Sequence, residues 1–221
     1  LADRLVTTAQ PIGRALWRGA IAPPASGNVR WISADSVPPL VPAGGIVFDD
    51  EAVPFADHTL DAYVSVLTLH AVNDLPGALT QIRRCLRPNG LFMAALFGGR
   101  TLHELKLALG EAEIDVAGGL SPRVAPMVDV RDAGALLQRA GFVRPVADVN
   151  TVTVRYEHTL KLLSDLRGMG ETNVLTERRR TFLRRGVLAR ACEVYAEKTR
   201  GGDGRIAATF EILFMTGFAP A

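Results

Sequence analysis

The sequence predicts an α/β fold, a mostly parallel sheet with helices on both faces. Three observations carry this expectation. Leu91–Phe97 is a continuous apolar run, the pattern of a strand covered on both sides. Upstream, Leu75–Leu86 places Leu75, Leu79, Ile82 and Leu86 at helical spacing. Between the two, Arg87-Pro88-Asn89-Gly90 reads as a helix stop and turn. Helix, turn and buried strand are parts of the parallel β-α-β unit, whose crossover is right-handed.

The remaining elements follow in order. Residues 1–11 have the pattern of a short helix ended near Pro11. Arg14–Leu16 reads as a weak strand, followed by Trp17-Arg18-Gly19. Pro23, Pro24, Ser26 and Gly27 make a loop that cannot hold a helix. Val29–Ala34 alternates as a strand; Pro38, Pro39, Pro42, Gly44 and Gly45 form a loop; Ile46–Phe48 is a short buried strand. Asp61–Leu67 is strand-like, with Ala62, Val64 and Val66 on one face. Thr101–Val116 reads as a helix, Thr101 as its cap and Glu104 in capping-box position. Val130–Ala140 is a helix closed by Gly141, and Val143–Val154 forms one or two strands. His158–Leu166 is a short helix, Thr176–Arg200 a long one and Gly201–Gly204 a tight turn. Ala207–Phe214 is a last strand that could enter antiparallel at an edge. One domain over residues 1–221 is expected, with helical insertions near 98–126 and 157–200.

The 221 residues suffice for one sizeable core. A net charge of +2 lacks the basic bias of a nucleic-acid binder, so no nucleic acid is expected as partner. Cys85 and Cys192 have no metal-type spacing and read as buried thiols of a reducing compartment. No apolar run reaches the length of a membrane span. The opening LADRLVTTAQPIG lacks the basic and apolar regions of a signal peptide. A cytoplasmic location is expected.

Chemistry-bearing residues fall at strand ends, where open α/β sheets bind ligands. Asp35 follows Val29–Ala34; Asp49, with Asp50 and Glu51 beside it, follows Ile46–Phe48 and precedes Pro54-Phe55. Each could be a binding carboxylate or a solvated loop acid. Three adjacent carboxylates invite a metal, but hard cations take more oxygen ligands than this, and none is expected. His70 follows the Asp61–Leu67 strand; it could accept a proton or orient a substrate, or simply cap and pack the junction. His58, His103 and His158 have no partner pattern and read as surface groups. Asp165–Asn173, with Gly168 and Gly170, is a tight connection or a lid. Arg178, Arg179, Arg180, Arg184, Arg185 and Arg190 give the long helix a basic face, opposite a stripe of Leu183, Val187, Ala191 and Val194. Such a face is ordinarily solvated; an acidic partner or a membrane surface is the other reading.

The segments DDEAVPFADHTLDAYVS, Leu67-Thr68-Leu69-His70-Ala71-Val72-Asn73-Asp74 and LRPNGLFMAALFGG resemble class I S-adenosylmethionine-dependent methyltransferases. FGGRTLHEL, GGLSPRVAP and DLRGMGETN resemble a narrower branch, which holds biotin-synthesis methyltransferases and the mitochondrial complex I assembly arginine hydroxylase. The resemblance covers nearly all of residues 46–217 and is poor before residue 46. It implies a Rossmann-like, mostly parallel seven-strand sheet with an antiparallel last strand. It implies a site for S-adenosylmethionine at Gly19, Asp35, Asp49, Asp50, Leu67 and His70, with Asp35 on the ribose and Asp49 on the adenine. No catalytic nucleophile is named.

One departure stands out. The family's first strand ends in an acid and Gly-x-Gly; here Ala15-Leu16-Trp17-Arg18-Gly19-Ala20 puts Trp17 at the acid position and keeps Gly19 alone. Added side chains hold a ligand's tail away from backbone amides, and Trp accepts no hydrogen bond. Only about a dozen residues link Leu16 to Val29, the minimum for a parallel crossover. Two expectations follow: weak or absent cofactor binding, and a sheet face without helical cover, which a homodimer or protein client could cover. The function is then a methyltransferase with a degenerate glycine motif, or a non-methylating assembly factor or hydroxylase-like protein acting on a respiratory complex I subunit. The methyl acceptor or protein client is unnamed by the sequence.

Overall fold

The computed structural model describes residues 11–25, 28–173 and 182–221. The helix expected over residues 1–11 lies outside them, Pro11 apart. Seven strands run β1 (Arg14–Arg18), β2 (Arg30–Asp35), β3 (Ile46–Val47), β4 (Leu60–Val66), β5 (Leu86–Phe97), β6 (Val143–Tyr156) and β7 (Ile206–Phe218). The helices are α1 (Leu75–Cys85), α2 (His103–Ala117), α3 (Val130–Arg139), α4 (Thr159–Gly168) and α5 (Arg185–Thr199). The sheet order is β3-β2-β1-β4-β5-β7-β6. β1 runs parallel to both β2 and β4, β2 to β3 and β4 to β5, while β7 is antiparallel to β5. The mostly parallel, Rossmann-like methyltransferase sheet is therefore present.

Its edge differs from expectation. β7 lies between β5 and β6, and β6 is outermost. Burial explains the order. β7 presents Ala208, Phe210, Leu213 and Met215 buried, whereas Val143, Val146, Val149 and Val152 of β6 are exposed. A strand buried along its length belongs inside a sheet.

The chain divides into two compact units. The first comprises residues 1–98, 128–149 and 212–221. Its core gathers Leu16, Tyr63, Leu79, Ile82, Phe92, Leu96, Leu137, Phe142 and Leu213. Helix α1 turns Leu75, Ala78, Leu79, Ile82 and Cys85 inward, each large apolar side chain contributing about 2 kcal/mol on burial. Asp74 caps it by accepting the Gly77 N–H at 2.9 Å. Arg87–Gly90, expected as a turn, lies within β5 as an irregularity: Leu60 pairs with Leu86 but Ala62 with Leu91. Asn89, at φ 61°, takes the left-handed conformation that this extra length requires. Gly141 closes α3 as expected. The Phe142 N–H donates to Leu137 O and the Gly141 N–H to Gln138 O, a Schellman motif.

The second unit comprises residues 99–127 and 150–211. Leu105, Ala108 and Ala112 of α2 and Val187, Ala191 and Val194 of α5 are buried within it. Thr101 and Glu104 do not form the expected capping box. Thr101 Oγ1 donates to Glu211 O, and Glu104 accepts the Thr209 hydroxyl. Strand β7 thus takes both side chains, and α2 starts after a left-handed Leu102 with no side-chain cap. The long helix expected from Thr176 begins at Arg185, because Arg184 is extended at ψ 139°; residues 176–181 lie outside the described residues. The Asp165–Asn173 glycines serve a helix stop. Gly170 is left-handed, its N–H donates to Arg167 O, and the Glu171 N–H donates to Leu166 O.

Candidate functional site

In an open α/β sheet the ligand crevice lies beyond the carboxyl ends of the strands, where strand order reverses. Here that point falls between β1 and β4. The residues there are Arg18 ending β1 and Gly19 after it, Asp35 ending β2, Phe48–Glu51 after β3 and Leu67–His70 after β4.

Alternation along β1 decides which side chains reach the crevice. Leu16 joins the main core, while Trp17 turns to the other face among Ala15, Ala62, Val64 and Met93. There it meets Trp31 edge to face at 5.5 Å, and its indole N–H donates to Ile21 O. The expected reading of Trp17 as the residue at the cofactor acid position is corrected: Arg18 faces the crevice. Ala15, Ala62 and Val64 on that face are fully buried.

Arg18 is 1% exposed. Its Nε donates to Asp50 Oδ1 at 3.0 Å and its Nη2 to Asp50 Oδ2 at 2.8 Å. This is the two-pronged pairing that a planar guanidinium makes with a carboxylate. Nη1 lies 3.4 Å from Asp35 Oδ1 and makes no hydrogen bond among the described residues. The guanidinium carbon sits 5.3 Å from the Phe48 ring centre, within cation–π range. The Tyr63 hydroxyl, fully buried, donates to Asp50 Oδ1 at 3.5 Å. Burial pushes the Asp50 carboxyl up and Arg18 pulls it back, leaving it above its ordinary range. Burial also raises the Tyr63 phenol well above its ordinary value, so it stays a donor.

The acidic run divides its work. Asp49 is exposed and closes its own turn, accepting the Glu51 N–H at 2.9 Å. Asp50 turns inward to Arg18. Glu51 accepts the N–H groups of Asp74 at 3.2 Å and Asn73 at 2.7 Å. Those bonds hold its carboxyl below the ordinary range. The Gln81 side-chain amide donates to Glu51 O, and its Oε1 accepts the Val53 N–H, so the turn is clasped to α1. Asp35 Oδ1 accepts the Val37 N–H at 3.0 Å.

Gly19 has φ 135°, and a Cβ there would lie 2.5 Å from Val66 O. Only glycine fits, because the chain leaving β1 presses against the end of β4. Its N–H donates to Ala34 O at 3.0 Å. Leu67 is left-handed at φ 53°, its N–H donating to Ala95 O. His70 lies in a short 3-10 turn, partly buried, with its ring 4.8 Å from Phe97. Arg18, Asp35 and Asp50 are thus brought together; Asp49 faces solvent, and Leu67 and His70 belong to the β4 side. Sequence reasoning missed Arg18, Phe48 and Tyr63. The usable signal was a lone Arg ending an apolar strand, opposite two strand-end acids. Among the described residues no group of acids, His and Cys is arranged to hold a metal, and no helix is long and apolar enough to cross a membrane. Burial pushes the Cys85 thiol up to about 12, which makes it a packing group.

Strand order and the crevice define an α/β protein of the methyltransferase type. The methyltransferase domain family matches residues 33–94. The malonyl-[acyl-carrier protein] O-methyltransferase of Xylella fastidiosa is 30% identical over all of this chain and 76% of its own length. The chain belongs to the class I S-adenosylmethionine-dependent methyltransferase family, in the branch shared by that enzyme and the mitochondrial arginine hydroxylases. The mouse arginine-hydroxylase NDUFAF5 is 44% identical over 80% of this chain and 52% of its own length. This chain spans about half the length of the curated arginine hydroxylases it matches. The crystal structure of the YcgJ protein from Bacillus subtilis covers 100% of this chain and 98% of its own, with TM-score 0.65 and 13% identity, a likeness of fold. The expected cytoplasmic location is overturned: the arginine-hydroxylase relatives are mitochondrial proteins. A reducing compartment read from two free thiols does not separate the two locations.

Proposed function

We propose that this chain is a non-methylating member of its family that serves a protein client, a respiratory complex I subunit being the client the family likeness favours. The observation that carries the reading is the Arg18 guanidinium, buried between Asp35 and Asp50. By resemblance the strand-end acids would hold the nucleoside of S-adenosylmethionine. Two of them, Asp35 and Asp50, already face a guanidinium of the chain itself. The cradle for the methionine tail would need an acid and Gly-x-Gly after β1, and here the sequence has Trp17 at the acid position and Gly19 alone remains. These residues do not fit the cofactor, and no methyl-transfer step is derived through it. Asp49, Leu67 and His70 stay outside the Arg18 cluster; on this reading they line the open side of the crevice.

Thermal melting of the purified chain with and without millimolar S-adenosylmethionine tests the reading, because a ligand that binds only the folded state raises the melting temperature. No shift is expected. A saturable rise, matched by calorimetric binding, would restore the methyltransferase reading, in which the protein positions an acceptor against the methyl group.

A further inference from the structure

We infer that the pocket walled by Asp35, Phe48 and Asp50 is a guanidinium-binding site, and that Arg18 is its built-in ligand. The inference does not depend on the function proposed above. Every wall suits a flat, delocalised cation. Asp50 offers both carboxylate oxygens side by side, at 3.0 Å and 2.8 Å. Phe48 offers a ring face at 5.3 Å. Asp35 offers a second carboxylate from another strand, and Tyr63 donates to Asp50 from below, as the buried phenol of a fully covered side chain. A compact ammonium could not bridge Asp50 in this way.

The occupant fits less well than the pocket allows. Arg18 is tethered to the last position of β1, and the tether leaves Nη1 3.4 Å from Asp35 without a hydrogen bond, though the atom is fully buried. A buried donor without a partner is uncommon in folded proteins. Asp35 meanwhile spends Oδ1 on the Val37 N–H. A guanidinium freed from the strand could settle against both carboxylates at once. The pocket therefore takes small guanidinium cations, arginine side chains included, once Arg18 is removed.

The test is chemical rescue. Arg18→Ala is melted with increasing low-millimolar methylguanidinium chloride, against tetramethylammonium chloride at equal ionic strength. A saturable rise of roughly 4 °C is expected with methylguanidinium alone. Wild type, whose pocket is filled, and Arg18→Ala/Asp50→Asn, whose fork is broken, should not respond. The inference is overturned if methylguanidinium gives no rise, if tetramethylammonium does as well, or if the double variant responds equally. Adenosine raising the melting point of Arg18→Ala where methylguanidinium does not would also overturn it, by making the pocket a nucleoside site. Should Arg18→Ala not fold, refolding yield in the same two salts is the readout. Recovery in methylguanidinium alone supports the site, and no recovery in either sinks it.

Discussion

The two ends of β1 are anchored by the same pair of residue types in different surroundings. At the amino end Asp61 accepts the N–H groups of Gly13 at 3.0 Å and Arg14 at 2.7 Å, and pairs with Arg87 at 2.7 Å. At the carboxyl end Arg18 pairs with Asp50 at 2.8 Å. The distances are nearly equal. Solvent is not: Arg87 is 51% exposed at its side chain and Arg18 2%. Water and salt screen the first pair, so its net contribution is small. The second pair is out of water, and losing one partner strands a buried charge. Distance between opposite charges therefore says little about energy until burial is known.

Asp50→Asn attacks the buried end and should have the largest effect, about 3 kcal/mol of lost stability, read as a melting temperature lower by roughly 6–12 °C. A loss no larger than that of the exposed pair would erase the contrast. Gly19→Ala disturbs the same end without touching charge. A Cβ at 2.5 Å from Val66 O and a backbone at φ 135° together should cost about 2 kcal/mol, measured by urea denaturation. Asp61→Asn probes the amino end and should cost about 1 kcal/mol at neutral pH, after allowance for its partial exposure to solvent.

The Asp61 change also has a pH signature. Burial alone would raise its carboxyl, but the Arg14 N–H, the Arg87 side chain and the Gly13 N–H outweigh burial and hold it below the ordinary range. A carboxyl depressed in the folded state contributes stability above its unfolded value, about 3.9, and loses it as pH falls through the folded one. Acid titration of stability should therefore be shallower in Asp61→Asn than in wild type below about pH 4. An unchanged profile would show that the backbone bonds to Asp61 do not set its titration. Smallest of all, Arg87→Ala should cost at most about 0.5 kcal/mol. Even that should fade as salt rises toward 1 M, while the Asp50→Asn cost persists; equal salt sensitivity would break the comparison from the other side.

What could be read from residue order was local. Helix α1 was legible because Leu75, Leu79 and Ile82 repeat at helical spacing within one segment, and the stop of α3 because Gly141 supplies the left-handed residue such a stop needs. The inward face of α5 was legible from Val187, Ala191 and Val194 for the same reason. The guanidinium pocket was not, since Arg18 and Asp50 stand 32 residues apart and meet only through the pairing of β1 with its neighbours. The place of β7 was hidden likewise, because strand order is a property of the whole sheet. The capping box failed for a related reason: Thr101 and Glu104 had the right spacing, yet Glu211 and Thr209 lie more than a hundred residues later and claimed both side chains. Spacing proposes partners within a turn of helix, and tertiary packing decides whether they are free to take them.

Arg18 carries one more consequence. A relative whose crevice stands empty between turnovers is firmest when its small molecule is plentiful. On the reading developed above, this chain brings its own plug, so its resistance to heat and proteolysis should be indifferent to how much sulfonium metabolite surrounds it.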